Sequence, residues 1–208
     1  MPAKGGRYHH GDLRSALVDA AVTVIADRGV RGFSVAEASR RLGVTTAAPY
    51  RHFADREELL AAVAVRALSV LAAMLAAAAE TEDTPPQQLA AMAGAYVRFA
   101  AQERPLFDTI YSSGLDKSRH PELQRAWEPV DALLTVIHQV CDGDHDTAAA
   151  LADAVEATAH GHAMLLIDGQ YGQGSDALNV AAAKTIASVR ALIAGRQALR
   201  PRHNNAFE

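Results

Sequence analysis

The sequence holds a single cysteine, Cys141, in 208 residues. One thiol excludes an intrachain disulfide framework and fits a reducing compartment. Its place on an apolar helical stripe predicts a buried, inert side chain. Aromatic residues are scarce, at 5%, so any core must be built mostly from aliphatic side chains. No segment alternates apolar and polar residues for long, and β-branched clusters are missing, which argues against a sheet. No apolar run reaches the roughly 20 residues that cross a bilayer. Met1 to Asp12 lacks the apolar stretch of a secretory leader. The expectation is therefore a soluble, cytoplasmic protein with no membrane partner. No serine or cysteine sits in a nucleophile motif, and the acids after residue 57 show no paired-carboxylate spacing. The histidines lack further ligands at metal-site spacing. Gly169, Gly172 and Gly174 follow no strand and read as a helix-to-helix turn rather than a phosphate loop. Neither catalysis nor a cofactor nor a metal is expected.

What the chain does contain is helix-forming material. Half of it is apolar, dominated by alanine and leucine, and alanine has the highest helix propensity. The predicted fold is all-α, with about nine helices. Three of them form an N-terminal domain over residues 1–56. A helical bundle fills 57–200, and a tail at 201–208 is expected to be disordered. The net charge of −4 does not favour a polyanion partner, but its distribution does. Residues 1–56 carry nine Lys/Arg against five Asp/Glu, a formal +4, and the remainder carry 11 against 19, a formal −8. A basic head on an acidic body presents one end to phosphates.

Within that head the punctuation is dense. Leu13, Leu17, Ala20, Ala21, Val24 and Ile25 make one apolar face of a helix from Asp12 to Arg28, and Gly29 ends it. Ser34 with Glu37 spells a capping box for a short helix, Val35 to Leu42, which Gly43 stops. Thr45 or Thr46 then caps a third helix reaching Phe53, and Asp55 caps a long fourth. Two short helices joined through a glycine form a helix-turn-helix. The third, Thr45-Thr-Ala-Ala-Pro-Tyr-Arg-His-Phe, is too polar to be fully buried. Small residues permit close approach to bases, and Tyr, Arg and His reach phosphates. A proline inside a helix costs about 3 kcal/mol. Pro49 is therefore expected at the end of the first turn, where its missing amide matters least.

Phe33-Ser-Val-Ala-Glu-Ala-Ser-Arg-Arg-Leu-Gly-Val followed by Ala48-Pro-Tyr-Arg-His-Phe-Ala-Asp-Arg-Glu-Glu-Leu-Leu resembles the DNA-binding segment of the tetracycline-repressor (TetR) family, over about residues 11–62. The resemblance implies an all-helical homodimer on a palindromic operator, released by a small ligand in the C-terminal domain. It implies that Thr45, Thr46, Ala47 and Ala48 lie at base edges, that Tyr50, His52 and Arg56 grip phosphates, and that Ser34 holds a phosphate at the second helix's N-terminus. Arg51 lies within reach of a base or a phosphate. Pro49 stands where the family has a large aliphatic residue, and Ser39 where it has alanine. The arm Arg7-Tyr-His-His-Gly-Asp-Leu-Arg is similar to that of one subgroup; His9 and His10 either stay solvated or touch the DNA backbone.

Further along, Ala159-His-Gly-His-Ala-Met-Leu-Leu resembles the Trp-His-Gly signature of one C-terminal class, with alanine in place of tryptophan. His160 and His162 read either as core or interface histidines or as ligand contacts. Tyr96, Phe99, Phe107, Tyr111 and Trp127 read as core packing, as the wall of an apolar ligand pocket with His160 and Met164, or as both. The last two long helices, with alanine-rich faces, are the expected dimer surface. The expected function is a ligand-released repressor binding double-stranded operator DNA. The alternatives are an activator or ligand-independent regulator with the same head, or a helical enzyme or carrier whose head packs only internally.

Overall fold

A computed structural model describes residues 10–133 and 135–200. The expectations for the arm before His10 and for the tail from Pro201 lie outside the described residues. In chain order the α-helices are α1 (His10–Arg28), α2 (Val35–Arg41), α3 (Arg56–Ala79), α4 (Pro85–Gln102), α5 (Arg104–Ser112), α6 (Pro121–Leu133), α7 (Thr135–Val140), α8 (His145–Ile167) and α9 (Gly174–Ala194). Three short 3-10 turns cover Pro49–Arg51, Lys117–Arg119 and Arg196–Leu199. Among the described residues there is no strand, as the composition implied.

The chain divides into two compact units. The first takes residues 1–68 and 104–126; the second takes 69–103 and 127–208. The expected single cut near residue 56 does not appear in this division, because α3 runs through it and α5 returns to the first unit, where it packs on α1.

The first unit's core is the apolar face of α1 (Leu17, Ala21, Val24, Ile25) with Phe33, Phe53, Leu59, Leu60 and Phe107, all buried. Two glycines close its early helices. Gly29 and Gly43 adopt left-handed φ of 69° and 66°, a conformation costly to any residue with a Cβ. After α2, Val44 N–H donates to Ser39 C=O and Gly43 N–H to Arg40 C=O, both at 3.1 Å. That pair of bonds is a Schellman closure, and it turns the chain sharply enough to bring the next segment out of α2's line.

The second unit is built on α4, α8 and α9. Thr84 precedes α4 in extended conformation, and Pro85 and Pro86 fill its first turn, where no amide is needed. Leu89, Met92, Ala93, Val97 and Ala100 then bury one continuous face. Gly94 meets Ile186 of α9 so closely that a Cβ would lie 2.8 Å from Ile186 Cδ1. The small residue therefore sets the α4–α9 approach. Asp144 caps α8, accepting from Thr147 N–H at 3.2 Å. Cys141 is buried, and burial pushes its thiol pKa up, as expected of an inert cysteine.

One exclusion needs correction. α3 and α9 are long and apolar enough to span a bilayer by length and composition. The run in α3 is broken by Arg66 and Ser69, so a search for unbroken apolar stretches passes over it. Half of that α3 window is buried inside the fold, which gives its apolar surface a use within the protein.

Candidate nucleic-acid interface

The first unit holds the segment between α2 and α3 at both ends. On the entry side, Arg41 of α2 pairs with Asp27 near the end of α1 at 2.6 Å and with Glu37 at 3.6 Å. On the exit side, Asp55 Oδ1 accepts from Glu58 N–H at 2.9 Å, and Glu58 reaches back to the Ala54 N–H. Asp55 thus caps α3, and Glu58 secures the amide one residue before the cap. The capping box expected at α2 does not form: Ser34 makes no side-chain cap bond, and the Glu37 carboxylate pairs with Arg40 and Arg41.

The expected recognition helix from Thr45 to Phe53 is not an α-helix. It is a turn followed by one 3-10 turn, Pro49–Arg51. Ala48 N–H donates to Thr45 C=O at 3.0 Å, Arg51 N–H to Ala48 C=O at 3.3 Å, and His52 N–H to Pro49 C=O at 2.9 Å. Pro49 has no amide to give the Thr45 carbonyl, and its ring crowds the carbonyl four residues back. The amides of Ala48, Arg51 and His52 therefore bond three residues back, while Phe53 N–H reaches Pro49 C=O four back. Pro49 opens the 3-10 turn rather than ending an α-helical first turn. Pro49 and Phe53 are buried, and the Arg14 guanidinium lies 5.0 Å above the Phe53 ring. These two side chains peg the segment to the unit.

Around the pegs, the expected DNA-contact residues face outward. Ser34, Thr45, Thr46, Ala47 and Arg51 are exposed; Ala48 and His52 are half-buried. Tyr50 is 57% exposed, an unusual place for a tyrosine in a folded unit. Arg56 differs from the rest. Its Nε donates to Phe33 C=O at 3.1 Å and its Nη2 to Val30 C=O at 2.8 Å, with the guanidinium 5.5 Å over the Phe33 ring. It ties α3 to the loop between α1 and α2, a use that the expected phosphate contact did not anticipate.

The expected ligand-pocket residues fall in both units. Phe107 and Tyr111 belong to the first, as a tilted ring pair with centroids 4.9 Å apart. Tyr96, Phe99, Trp127, His160 and Met164 belong to the second. Of these, Tyr96 Oη and His160 Nδ1 lie at hydrogen-bond distance, 2.9 Å, across α4 and α8. Phe99 is fully buried, and Met164 is 37% exposed. A cleft of about 640 Å³ in the second unit is lined by Asp146, Ala149, Ala150, Asp153, Ala154 and Leu199, none of them among the expected residues. His162 Nδ1 meets Tyr171 Oη, and Lys184 Nζ sits 5.1 Å from the same ring. Burial and then Lys184 lower the His162 pKa from its ordinary value.

Residues 17–63 match the family model described as bacterial regulatory proteins, tetR family. Residues 89–194, just over half of the chain, match the tetracyclin repressor-like C-terminal domain. The chain belongs to the TetR family. Among relatives, it is 35% identical over 79 residues to the HTH-type transcriptional regulator BetI of Rhizobium meliloti, a match spanning 38% of this chain and 39% of that protein. A Rhodococcus protein of unknown function has a similar structure, with 30% identity, a TM-score of 0.70, and coverage of 88% and 98% of the two chains. RolR, solved with resorcinol, shares the fold at 21% identity and a TM-score of 0.59, over 95% and 96% of the chains.

Two features of this TetR-family chain escaped the sequence. The Arg56 anchor reaches 23 and 26 residues upstream, and nothing in local spacing signals it. Arg200 donates to Thr147 Oγ1 at 2.9 Å and also contacts the Asp144 carboxylate, joining the segment after α9 to the α8 cap. Neither the Asp144 cap nor its arginine was among the expectations.

Proposed function

We propose that this TetR-family chain is a cytoplasmic transcriptional repressor that binds a palindromic operator as a homodimer and is released by a small apolar or amphipathic ligand. The observation that carries the DNA-binding reading is the segment Thr45–Phe53. Two buried pegs and a cap at its exit fix it, and its remaining side chains are small, hydroxylated, aromatic or cationic and face solvent. A segment built only for internal packing would not leave Tyr50 and Arg51 outside. Ser34, Tyr50 and His52 take phosphates, and Thr45 to Ala48 approach base edges. A two-fold protein suits half-sites about 34–36 Å apart. The dimer surface is assigned to α8 and α9, which carry exposed Met164, Leu165 and Val180.

Ligand release rests on the C-terminal domain match and on the resorcinol carried by RolR. The bound molecule favours a conformation with misplaced recognition segments, and operator affinity falls by its differential binding energy. Selection from a random duplex pool with the full chain tests the core of this reading. Enrichment of an inverted repeat, with affinity falling steeply as salt rises, is expected. No enriched duplex at low salt, together with no effect of Tyr50→Ala, overturns it.

A further inference from the structure

We propose that Arg51 is a specificity-determining residue that reads a guanine in each operator half-site, from a face it shares with Ala48. This rests on the DNA-binding reading above and adds which side chain discriminates. Side chains three residues apart eclipse in a 3-10 turn, whereas in an α-helix they are offset. The two successive bonds Arg51 N–H to Ala48 C=O and Ala48 N–H to Thr45 C=O run in that three-residue register. Within the 3-10 turn this sets Arg51 over Ala48, and Thr45 stands one hydrogen-bonded turn before it. Those three positions therefore carry a methyl, a hydroxyl and one guanidinium, with no bulky side chain among them to hold the backbone away from a groove floor.

Several other arginines of the first unit are engaged elsewhere. Arg40 pairs with Glu37, Arg41 with Asp27, Arg56 with two carbonyls, and Arg66 with Asp19. Arg28 and Arg31 are exposed and unengaged among the described residues, but they lie at the end of α1 and in the loop after it, outside the Thr45–Phe53 segment, and Arg14 lies over the Phe53 ring. Arg51 is exposed, and no hydrogen bond, ion pair or ring contact engages it among the described residues. Its fork of N–H donors matches the O6 and N7 acceptors that guanine alone presents together in the major groove. Thr45, Thr46, Ala47 and Ala48 have no such fork, so discrimination by them is weaker.

The test measures the affinity of the full chain for its selected duplex and for every single-base variant of it. The wild type is expected to lose roughly five- to 150-fold when the guanine is replaced in one half-site. Arg51→Ala is expected to flatten that position to within twofold while the rest of the site keeps its preferences. Tyr50→Phe, which removes a phosphate donor, is expected to weaken all duplexes alike. If Arg51→Ala weakens every duplex equally, keeps the base preferences and lowers the salt slope by about 0.9 per half-site, Arg51 is a phosphate contact and the proposal fails. If the wild type enriches no duplex, DNA binding itself fails, an outcome distinct from the first. A thermal melt of each variant confirms the fold, which an exposed side chain should leave unchanged.

Discussion

Arg56→Met separates two roles for a residue that the family resemblance places on DNA. The methionine keeps an apolar stem of similar length and removes the donors. Two charge-assisted bonds, at 3.1 and 2.8 Å, disappear, along with the stacking over Phe33. Bonds to charged groups contribute about 1.5–3 kcal/mol each when well shielded. Arg56 is partly open to water, so each takes the lower end of that range or less. The Val30 carbonyl keeps a second donor, the Phe33 N–H at 3.3 Å, so the Phe33 carbonyl bears the larger loss. Stacking adds about 0.5–1 kcal/mol. The expected loss is about 2–3 kcal/mol of stability in the first unit, read from urea midpoints by far-UV circular dichroism. Arg56→Lys should recover little of it, because one ammonium cannot serve two carbonyls in a fixed fork. Operator binding should then weaken with an unchanged salt slope. An unchanged urea midpoint with a salt slope reduced by about 0.9 per half-site would refute the reasoning and return Arg56 to the phosphates.

Three further outcomes are expected. Gly43→Ala forces a Cβ into a φ of 66° and should destabilise by about 1 kcal/mol, read as a lower urea midpoint; an unchanged midpoint would mean the Schellman turn is dispensable. The Thr147 amide and hydroxyl, then Arg200, lower the Asp144 pKa, so its contribution is present above the ordinary carboxylate value and lost as pH falls through the lower folded value. The stability gap between wild type and Asp144→Asn should therefore close on acidification, and a gap that persists at the acid end argues against the cap. His162 is also lowered, from an ordinary value near 6.5. The folded state binds its proton less readily than the unfolded one, so stability should fall as pH drops from about 6.5 through the lower folded value. His162→Gln should flatten that part of the profile, and an unchanged profile would place the titration elsewhere.

What was legible in the sequence is local. The buried face of α1, the stops at Gly29 and Gly43, the prolines opening α4 and the cap at Asp55 all depend on residues within a turn or two of one another. What was not legible depends on partners far along the chain. The Glu37 carboxylate pairs with Arg40 and Arg41, and Arg41 is itself held by Asp27 from α1. Arg56, though exposed, is bonded because the loop holding Val30 and Phe33 offers two carbonyls at the right spacing. Likewise α5 is a short helix with nothing in its own pattern to say that it packs on α1, so a single cut near residue 56 was the natural reading of the chain.

The recognition segment shows how one missing hydrogen atom decides a local conformation. Nine residues from Thr45 to Phe53 are too few for periodicity to choose between three and 3.6 residues per turn. Hydrogen-bond accounting makes the choice. An α-helix capped at Thr45 needs the amide of residue 49 for its first bond, and proline has none. Placing the cap at Thr46 avoids that loss but leaves the Thr45 carbonyl without the Ala48 N–H it now receives. The 3-10 register pairs Ala48, Arg51 and His52 with carbonyls three residues back, and Phe53 N–H reaches Pro49 C=O at 3.0 Å. Poorer bond geometry is the cost. Burial of the Phe53 side chain, 2% exposed and worth about 1.5–3 kcal/mol, offsets it. The proline therefore does more than mark where the segment starts: it sets the three-residue bond register that places Arg51 over Ala48.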